Sequence, residues 1–180
     1  MGLPQPWQTA EVPGPKRANV ITKPEIITAM IRKAERPLLI VGHKVVEADS
    51  SIEEPIDYVI PLAKSLKIPV VATAHLIGKF LERGFQPDAS MPVVDIGNRL
   101  VDPNWKGLRG EGQHDLVLII GVPYYMEWLV LSALKHFAPN LKSISMDRFY
   151  QPNATWSFPN ISIEDWQRSL KLIAGRMEGN

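Results

Sequence analysis

Cysteine is absent from this 180-residue sequence, and its absence excludes several kinds of chemistry. Without a thiol, the chain forms no disulfide, has no thiolate nucleophile and supplies no cysteine ligand to an iron–sulfur cluster. Its four histidines, at positions 43, 75, 114 and 136, lack the paired ligand spacing of zinc sites. We therefore predict no metal and no iron–sulfur cluster in this chain.

Long apolar runs and an excess of one charge are also missing. No run approaches the roughly 18–20 residues that span a bilayer, and no charged-then-apolar leader precedes a small-residue cleavage site. The formal net charge is +1, from 20 Lys and Arg against 19 Asp and Glu, which gives no electrostatic reason to expect nucleic acid. We predict a soluble, cytoplasmic protein with no membrane span and no nucleic-acid partner.

The sequence fingerprints of nucleotide-binding and hydrolytic enzymes are missing too. Gly42-His-Lys-Val-Val-Glu follows the first apolar run and does not match G-x-G-x-x-G, and G-x-x-x-x-G-K-[ST] occurs nowhere. No Gly-x-Ser-x-Gly elbow occurs either. We therefore assign no catalytic residue. A stand-alone enzyme for a small anionic substrate, with His43 and Asp147 as base and partner, remains an alternative.

What the sequence does contain is a series of short apolar runs. Three of them, residues 37–42, 69–72 and 116–120, are too short for helices and fit strands that are buried on both faces. Residues 141–146, Leu-Lys-Ser-Ile-Ser-Met, are predicted to form a fourth strand. Residues 157–161 are predicted to form a short edge strand. Helical spacing predicts helices over about residues 23–35, 56–66, 76–84, 124–137 and 163–177, with a turn or two near residues 94–100.

The alternation of buried strands with helices is typical of an α/β fold. We predict a Rossmann-like, doubly wound, mainly parallel sheet with helices on both faces. The helix over residues 124–137 is predicted from the apolar residues Met126, Leu129, Val130, Ala133 and Phe137.

The first 21 residues have a different character, with prolines at positions 4, 6, 13 and 15. Such proline density forbids a helix and favours an extended segment. We therefore divide the chain into a Pro-rich extended arm, residues 1–21, and a single Rossmann-like α/β domain, residues 22–180. The arm is either a frayed tail or a segment that wraps a partner with Trp7 as its anchor.

Glycines and polar residues follow the predicted strands at their carboxyl ends, where ligands bind to open parallel sheets. They form a candidate rim for FAD or another nucleotide. Its members are Gly42, His43, Thr73, His75, Gly121 and Asp147. The alternative is that strand–helix loops are polar in any fold of this class.

A glycine-rich loop leads into the run at residues 116–120. Its pattern Gly107-x-x-Gly110-x-Gly112 precedes a strand, whereas a dinucleotide fingerprint joins a strand to a helix. A shaped interface loop is at least as good an interpretation as a phosphate cradle. The candidate partner-binding residues are Trp7, Asp102, Asn104, Trp105, Gly107, Gly110 and Gly112.

Several stretches resemble one protein family. They are Leu100-Val-Asp-Pro-Asn-Trp-Lys-Gly-Leu-Arg-Gly-Glu-Gly-Gln-His-Asp115, Asn140-Leu-Lys-Ser-Ile-Ser-Met-Asp-Arg148, Asn153-Ala-Thr-Trp-Ser-Phe158, Lys33-Ala-Glu-Arg-Pro-Leu-Leu-Ile-Val-Gly42 and Ile68-Pro-Val-Val-Ala-Thr73. They are similar to the epsilon subunit of the archaeal acetyl-CoA decarbonylase/synthase complex, which belongs to its carbon monoxide dehydrogenase component. The resemblance runs from about Thr22 to the C-terminus, and residues 102–112 are its most specific part.

The resemblance implies a fold and a role. The fold is a Rossmann-like domain of the type that binds NAD or FAD elsewhere and forms the middle domain of thiamine-diphosphate enzymes. The role is that of a non-catalytic subunit that stabilises the alpha subunit in an alpha-epsilon heterotetramer. The complex serves the one-carbon metabolism of methanogens. The alpha subunit holds the nickel–iron–sulfur site that oxidises CO, within a complex that reversibly cleaves acetyl-CoA.

The resemblance leaves other questions open. It raises FAD as a weakly held cofactor in electron transfer, and it supplies no catalytic residue to this chain. The alternative from a different class is a stand-alone FAD- or NAD-binding electron-transfer protein. Self-association of the isolated chain also stays open.

Overall fold

The computed structural model describes residues 14–47, 54–73 and 75–178. Most of the expected arm, including Trp7, lies outside these residues. The strands are β1 (Asn19–Val20), β2 (Pro37–Val41), β3 (Val70–Ala72), β4 (Ala89–Ser90), β5 (Leu116–Ile120), β6 (Lys142–Ser145) and β7 (Trp156–Ser157). The helices are α1 (Glu25–Lys33), α2 (Ile56–Leu66), α3 (Ile77–Glu82), α4 (Val93–Val101), α5 (Tyr124–Phe137) and α6 (Ile163–Glu178).

The strands of the described residues form one sheet in the order β1-β7-β6-β5-β2-β3-β4, and every neighbouring pair is parallel. The two longest strands, β2 and β5, lie side by side at its centre. Leu116–Ile120 is buried throughout, because helices cover a parallel sheet on both faces. The predicted α/β, Rossmann-like fold is confirmed.

Two apolar layers cover the sheet because successive side chains of a strand point to opposite faces. Leu39 and Val41 of β2 pack in the layer that contains side chains of α1, α2, α3 and α6. Leu38 and Ile40 pack in the layer of α4 and α5. The helices therefore divide into a group of four and a group of two.

Helix α5 has the predicted bounds, but of the apolar residues that predicted it only Val130 is buried. Met126, Leu129 and Phe137 are exposed, whereas Glu127, Val130, Leu131 and Leu134 are buried. The helix is apolar on most of its circumference, so periodicity alone does not define which side meets the sheet.

The predicted edge strand is also wrong in its position. β7 lies between β6 and β1, and β1 is the edge strand on that side of the sheet. The residues that flank β1, Ala18 and Ile21, are buried. The sheet thus extends into the stretch expected to be an arm, and the division of the chain at residue 21 stays a prediction.

Within the described part of the chain, no helix is both long and apolar enough to cross a membrane.

Candidate functional site

The strand order reverses between β2 and β5, which in open α/β sheets is where ligands bind. Gly42 and Gly121 follow these two strands and meet there. The Gly42 amide donates to Ile120 O (2.8 Å), and the Lys44 amide donates to Gly121 O (2.9 Å). A Cβ atom on Gly42 would lie 2.2 Å from Gly121 O. The turns contact each other through their backbones, so a cofactor at this edge would have to lie outside their contact.

Asp147, which follows β6, is tied to the same turn. Its two carboxylate oxygens accept from the Gly121 amide at 3.0 and 2.9 Å. Burial raises the pKa of Asp147 to about 7, although the Gly121 amide and the positive charge of Lys44 act to lower it. The carboxyl group therefore changes its charge near neutral pH.

A second carboxyl group near Asp147 belongs to Glu127 of α5, whose side chain is buried. Burial and the negative charge of Asp147 raise its pKa well above the ordinary value for glutamate. Gln151 Nε2 donates to Glu127 Oε2 (3.2 Å) and to Tyr124 O (2.9 Å). Glu127 Oε1 and Gln151 Oε1 are buried without a hydrogen-bond partner among the described residues. The two carboxyl groups together can hold a proton at the carboxyl edge of the sheet.

Sequence reasoning did not single out Glu127. A signal was nevertheless present. Glu127 is the only charged residue in the apolar stretch 124–134, and an isolated charge in such a stretch calls for a specific partner.

The remaining rim residues lie apart from this group. Thr73 is buried, and its amide donates to Val41 O (2.8 Å). His43 Nε2 lies 3.2 Å from Glu47 Oε1, and the side chain of His43 is 43% exposed. His75 is exposed. The structure therefore brings Gly42, Gly121 and Asp147 together, whereas His43 pairs with Glu47 instead of Asp147.

The glycine-rich loop, residues 102–114, leads into the amino end of β5. It therefore lies at the amino ends of the strands, opposite the rim at their carboxyl ends. Gly107, Gly110 and Gly112 have φ angles of 77°, 75° and 122°. The Gly112 amide donates to Lys106 O (2.8 Å), and the Asn104 amide donates to Asp102 Oδ1 (2.9 Å). Local hydrogen bonds and left-handed glycines thus define the shape of this loop.

His114 joins the loop to the domain. The Leu108 amide donates to His114 Nε2 (3.2 Å), so Nδ1 bears the hydrogen and donates to Arg36 O (2.9 Å). The Trp105 ring packs beside the His114 ring, with the centroids 5.6 Å apart. Burial lowers the pKa of His114, which favours the neutral ring that these two hydrogen bonds require.

The predicted partner-binding residues have different environments in this loop. Trp105 is half-buried against the layer of α4 and α5, whereas Asp102, Asn104 and Gly110 are exposed. Gly107 and Gly112 are half-buried. The loop therefore has a rigid base and an exposed outer side.

Helix α5 carries exposed apolar side chains. The exposed fractions are 71% for Tyr125, 59% for Leu129 and 71% for Phe137. Tyr125 and Leu129 are four positions apart and so lie on the same side of the helix. Glu127, the one charged residue of the stretch 124–134, points inward. This surface has the apolar character of a protein–protein contact.

No group of three or more His, Asp or Glu side chains in the described ranges is arranged to hold a metal ion. Cysteine is absent from the whole sequence. The described residues therefore present no metal centre.

The chain has relatives among known proteins. The model of the family described as CO dehydrogenase beta subunit/acetyl-CoA synthase epsilon subunit matches residues 2–174. The acetyl-CoA decarbonylase/synthase complex subunit epsilon of Methanothermobacter thermautotrophicus is 41% identical over 168 residues, which are 93% of each chain. The subunit of the same name from Methanothrix soehngenii is 35% identical over 180 residues, covering 97% of this chain and 92% of that protein. Subunit epsilon 1 of Methanosarcina barkeri is 37% identical over 150 residues, 82% of each chain.

These matches cover nearly the whole chain and confirm the resemblance found in its sequence. The chain therefore belongs to the CO dehydrogenase beta subunit/acetyl-CoA synthase epsilon subunit family.

Proposed function

We propose that this chain is a non-catalytic epsilon subunit that docks on the alpha subunit of a CO dehydrogenase and stabilises it. The observation that supports the docking surface best is the exposed apolar face of α5. The relatives named above are subunits of acetyl-CoA decarbonylase/synthase complexes. The reaction in which we place the chain is the CO oxidation and acetyl-CoA cleavage of such a complex, with the redox metals on its partner.

The residues exposed on α5 are of the kind that anchors protein interfaces. Tyr125 supplies an aromatic ring and Leu129 an aliphatic side chain one turn away, and interfaces concentrate their binding energy in a few such anchors. Tyr125 also lies four residues after Gly121, close to the carboxyl edge of the sheet. A partner on this face would therefore border the rim.

The glycine-rich loop lies on the same side of the sheet. Trp105 and Leu108 pack against the layer that contains α4 and α5. The exposed outer residues of the loop, including Asp102 and Asn104, would contact the partner at the amino edge. Trp7, which lies outside the described residues, would add an anchor from the arm. Two copies of each chain would form the alpha-epsilon heterotetramer.

The direct test is to mix the purified full chain with purified alpha subunit and to measure the mass of the complex by gel filtration with light scattering. We expect coelution at the mass of a heterotetramer. We also expect a higher melting temperature for alpha, because a partner that binds only the folded protein stabilises it. Separate elution of the two chains contradicts the proposal. A dimer of this chain alone, with no complex formed, would show self-association instead.

A second candidate function is FAD binding at the carboxyl-edge rim, and the strand order is the observation that favours it. From β4 to β7 the order is 4-3-2-5-6-7, which is the 3-2-1-4-5-6 arrangement of dinucleotide-binding domains when counted from β2. Because the turns at Gly42 and Gly121 are in contact, the flavin would lie over them, near His43, Thr73 and His75. The docked alpha subunit would close the site and receive or deliver the electrons.

Titration with FAD tests this site, both in the isolated chain and in the alpha-epsilon complex. NAD is the comparison ligand. We expect quenching of flavin fluorescence by the alpha-epsilon complex and little quenching by either chain alone. Equal binding by the isolated chain would favour a stand-alone electron-transfer protein. No binding by the complex up to about 1 mM FAD, where the binding free energy is only about −4 kcal/mol, would contradict a flavin site.

A further inference from the structure

Two neighbouring cavities lie at the amino edge of the sheet, away from the rim. Their volumes are about 460 and 530 Å³, within the range of small-molecule sites. Both are lined by Pro15, Lys16, Lys135 and Asn153. They adjoin each other where the last turn of α5 meets the segment that precedes β1.

The linings are basic. Lys16, Arg17 and Lys135 line the first cavity, and His136 joins Lys16 and Lys135 in the second. No Asp or Glu is among the described residues that line either cavity. Burial lowers the pKa of Lys135, and the positive charge of Lys16 nearby lowers it further. An anion between these lysines would relieve their repulsion.

Asn153 adds a buried donor at the junction of the cavities. Its side chain is 3% exposed. Its Oδ1 accepts a hydrogen bond from Lys135 Nζ (3.3 Å), which sets the orientation of the amide. The opposite atom, Nδ2, is buried and has no hydrogen-bond partner within the described ranges. A buried N–H without an acceptor is costly, so this amide needs an acceptor from a ligand or from water.

Trp128 provides a second such donor. Its ring lines the cavity of about 530 Å³, and its Nε1 is buried without a partner in the described part of the chain. The residues that carry these two unpaired N–H groups therefore line the same cavity as Lys16 and Lys135. All four groups are donors, and none can accept a hydrogen bond when the lysines are charged.

We propose that the two cavities form a binding site for a phosphate group, held by Lys16, Lys135 and the Asn153 amide. A phosphate brings nearly two negative charges and several acceptor oxygens, which matches several donors better than the single charge of a carboxylate does. The remaining space, bordered by Trp128, has room for a small molecule attached to the phosphate. The site lies away from the rim but adjoins the docking face on α5, because Ser132 and His136, which line the larger cavity, are three and seven positions after Leu129.

The test is calorimetric titration of the purified full chain with inorganic phosphate, pyrophosphate and ADP in a low-salt buffer without phosphate. We expect one saturable site for phosphate or pyrophosphate with a Kd below about 1 mM, and weaker binding as salt is added. Tighter binding of ADP identifies the phosphate of a nucleotide as the ligand. Equal or weaker binding of ADP identifies the free anion.

Two substitutions test the residues themselves. Lys135→Gln removes a donor charge, and Asn153→Asp places a negative charge at the junction while leaving an oxygen to accept from Lys135. Each is expected to weaken phosphate binding at least about tenfold. Lys142→Gln is the control, because Lys142 is exposed, lies on the neighbouring strand β6 and lines neither cavity.

Three outcomes would overturn the proposal. The first is the absence of saturable binding up to about 10 mM phosphate. The second is an equal loss in Lys142→Gln, which would indicate general charge attraction. The third is equal affinity for acetate, which would remove the preference for phosphate. A melting curve of Asn153→Asp at the wild-type temperature or above shows that any lost binding does not come from unfolding.

Discussion

At the residue scale, Gly107 and Gly110 share a left-handed backbone but have different surroundings. Their φ angles are 77° and 75°, so a side chain at either position is strained. A Cβ atom at Gly107 would also lie 2.2 Å from Gly112 O, whereas nothing lies within 4 Å of one at Gly110. The pair therefore separates backbone strain from a steric clash.

We predict that Gly110→Ala lowers the free energy of unfolding by about 1–2 kcal/mol, the cost of left-handed backbone for an L-residue. Gly107→Ala should lower it by at least about 3 kcal/mol, because a clash with backbone adds to the same strain. Urea denaturation of both variants measures the difference. Equal losses would show that the close approach of Gly107 to Gly112 does not define this loop.

Asp147 changes its charge near neutral pH. Its pKa lies near 7 in the folded chain, against 3.8 as the ordinary value. The folded state therefore binds the proton more tightly than the unfolded state does. The resulting stabilisation is complete below pH 3.8 and is lost as the pH rises through 7.

We predict that Asp147→Asn, whose amide stays neutral and still has an oxygen for the Gly121 amide, melts higher than the wild type at about pH 8. The difference should shrink by about pH 5, where the wild-type carboxyl is protonated. His114, whose lowered pKa makes the fold less stable as the pH falls below 6.5, is common to both proteins and cancels in the difference.

Asp95→Asn is the matched control, because Asp95 is an exposed carboxylate in the first turn of α4. Its effect should stay within about 0.5 kcal/mol at either pH. A difference between Asp147→Asn and the wild type that is the same at both pH values would contradict the raised pKa of Asp147.

At the element scale, α5 shows what periodicity can and cannot predict. Its bounds, Tyr124–Phe137, were predictable from a continuous apolar stretch between Pro123 and the turn that precedes β6. Its buried side was not predictable, because apolar residues surround most of the helix. Leu129, one of the residues that predicted the helix, is exposed, and Glu127 is buried. Neither the exposed apolar face nor the buried carboxyl group therefore follows from periodicity.

The strands show a related limit. The apolar runs that became β2, β3 and β5 were recognisable because strands buried on both faces are continuously apolar. β1 and β4 have two residues each, too few for any pattern. They exist because neighbouring strands offer hydrogen-bond partners, which is a property of the folded sheet.

The candidate site was predictable to the extent that it depends on parallel strands. Because such strands end at a common edge, the proximity of Gly42, Gly121 and Asp147 followed from the order of elements alone. The direct contact between the turns at Gly42 and Gly121 did not. Neither did the pairing of His43 with Glu47, since side-chain partners depend on the course of each loop.

At the scale of the whole molecule, the sheet separates two groups of helices. Helices α4 and α5 lie on one side of the sheet with the glycine-rich loop, and α1, α2, α3 and α6 lie on the other. The proposed docking face therefore belongs to one side. This arrangement offers an exposed leucine on each side for comparison, Leu129 of α5 and Leu81 of α3.

The central claim is that the face of α5 docks on the alpha subunit of the complex. The most direct measurement is the affinity of purified alpha for the wild-type chain, Leu129→Gln and Leu81→Gln by biolayer interferometry. Leu129 and Leu81 are similarly exposed, at 59% and 54%, so neither substitution should unfold the chain. We predict that Leu129→Gln weakens binding at least about tenfold and that Leu81→Gln binds like the wild type. Equal binding by all three chains, or no binding of alpha by the wild type, would contradict the claim.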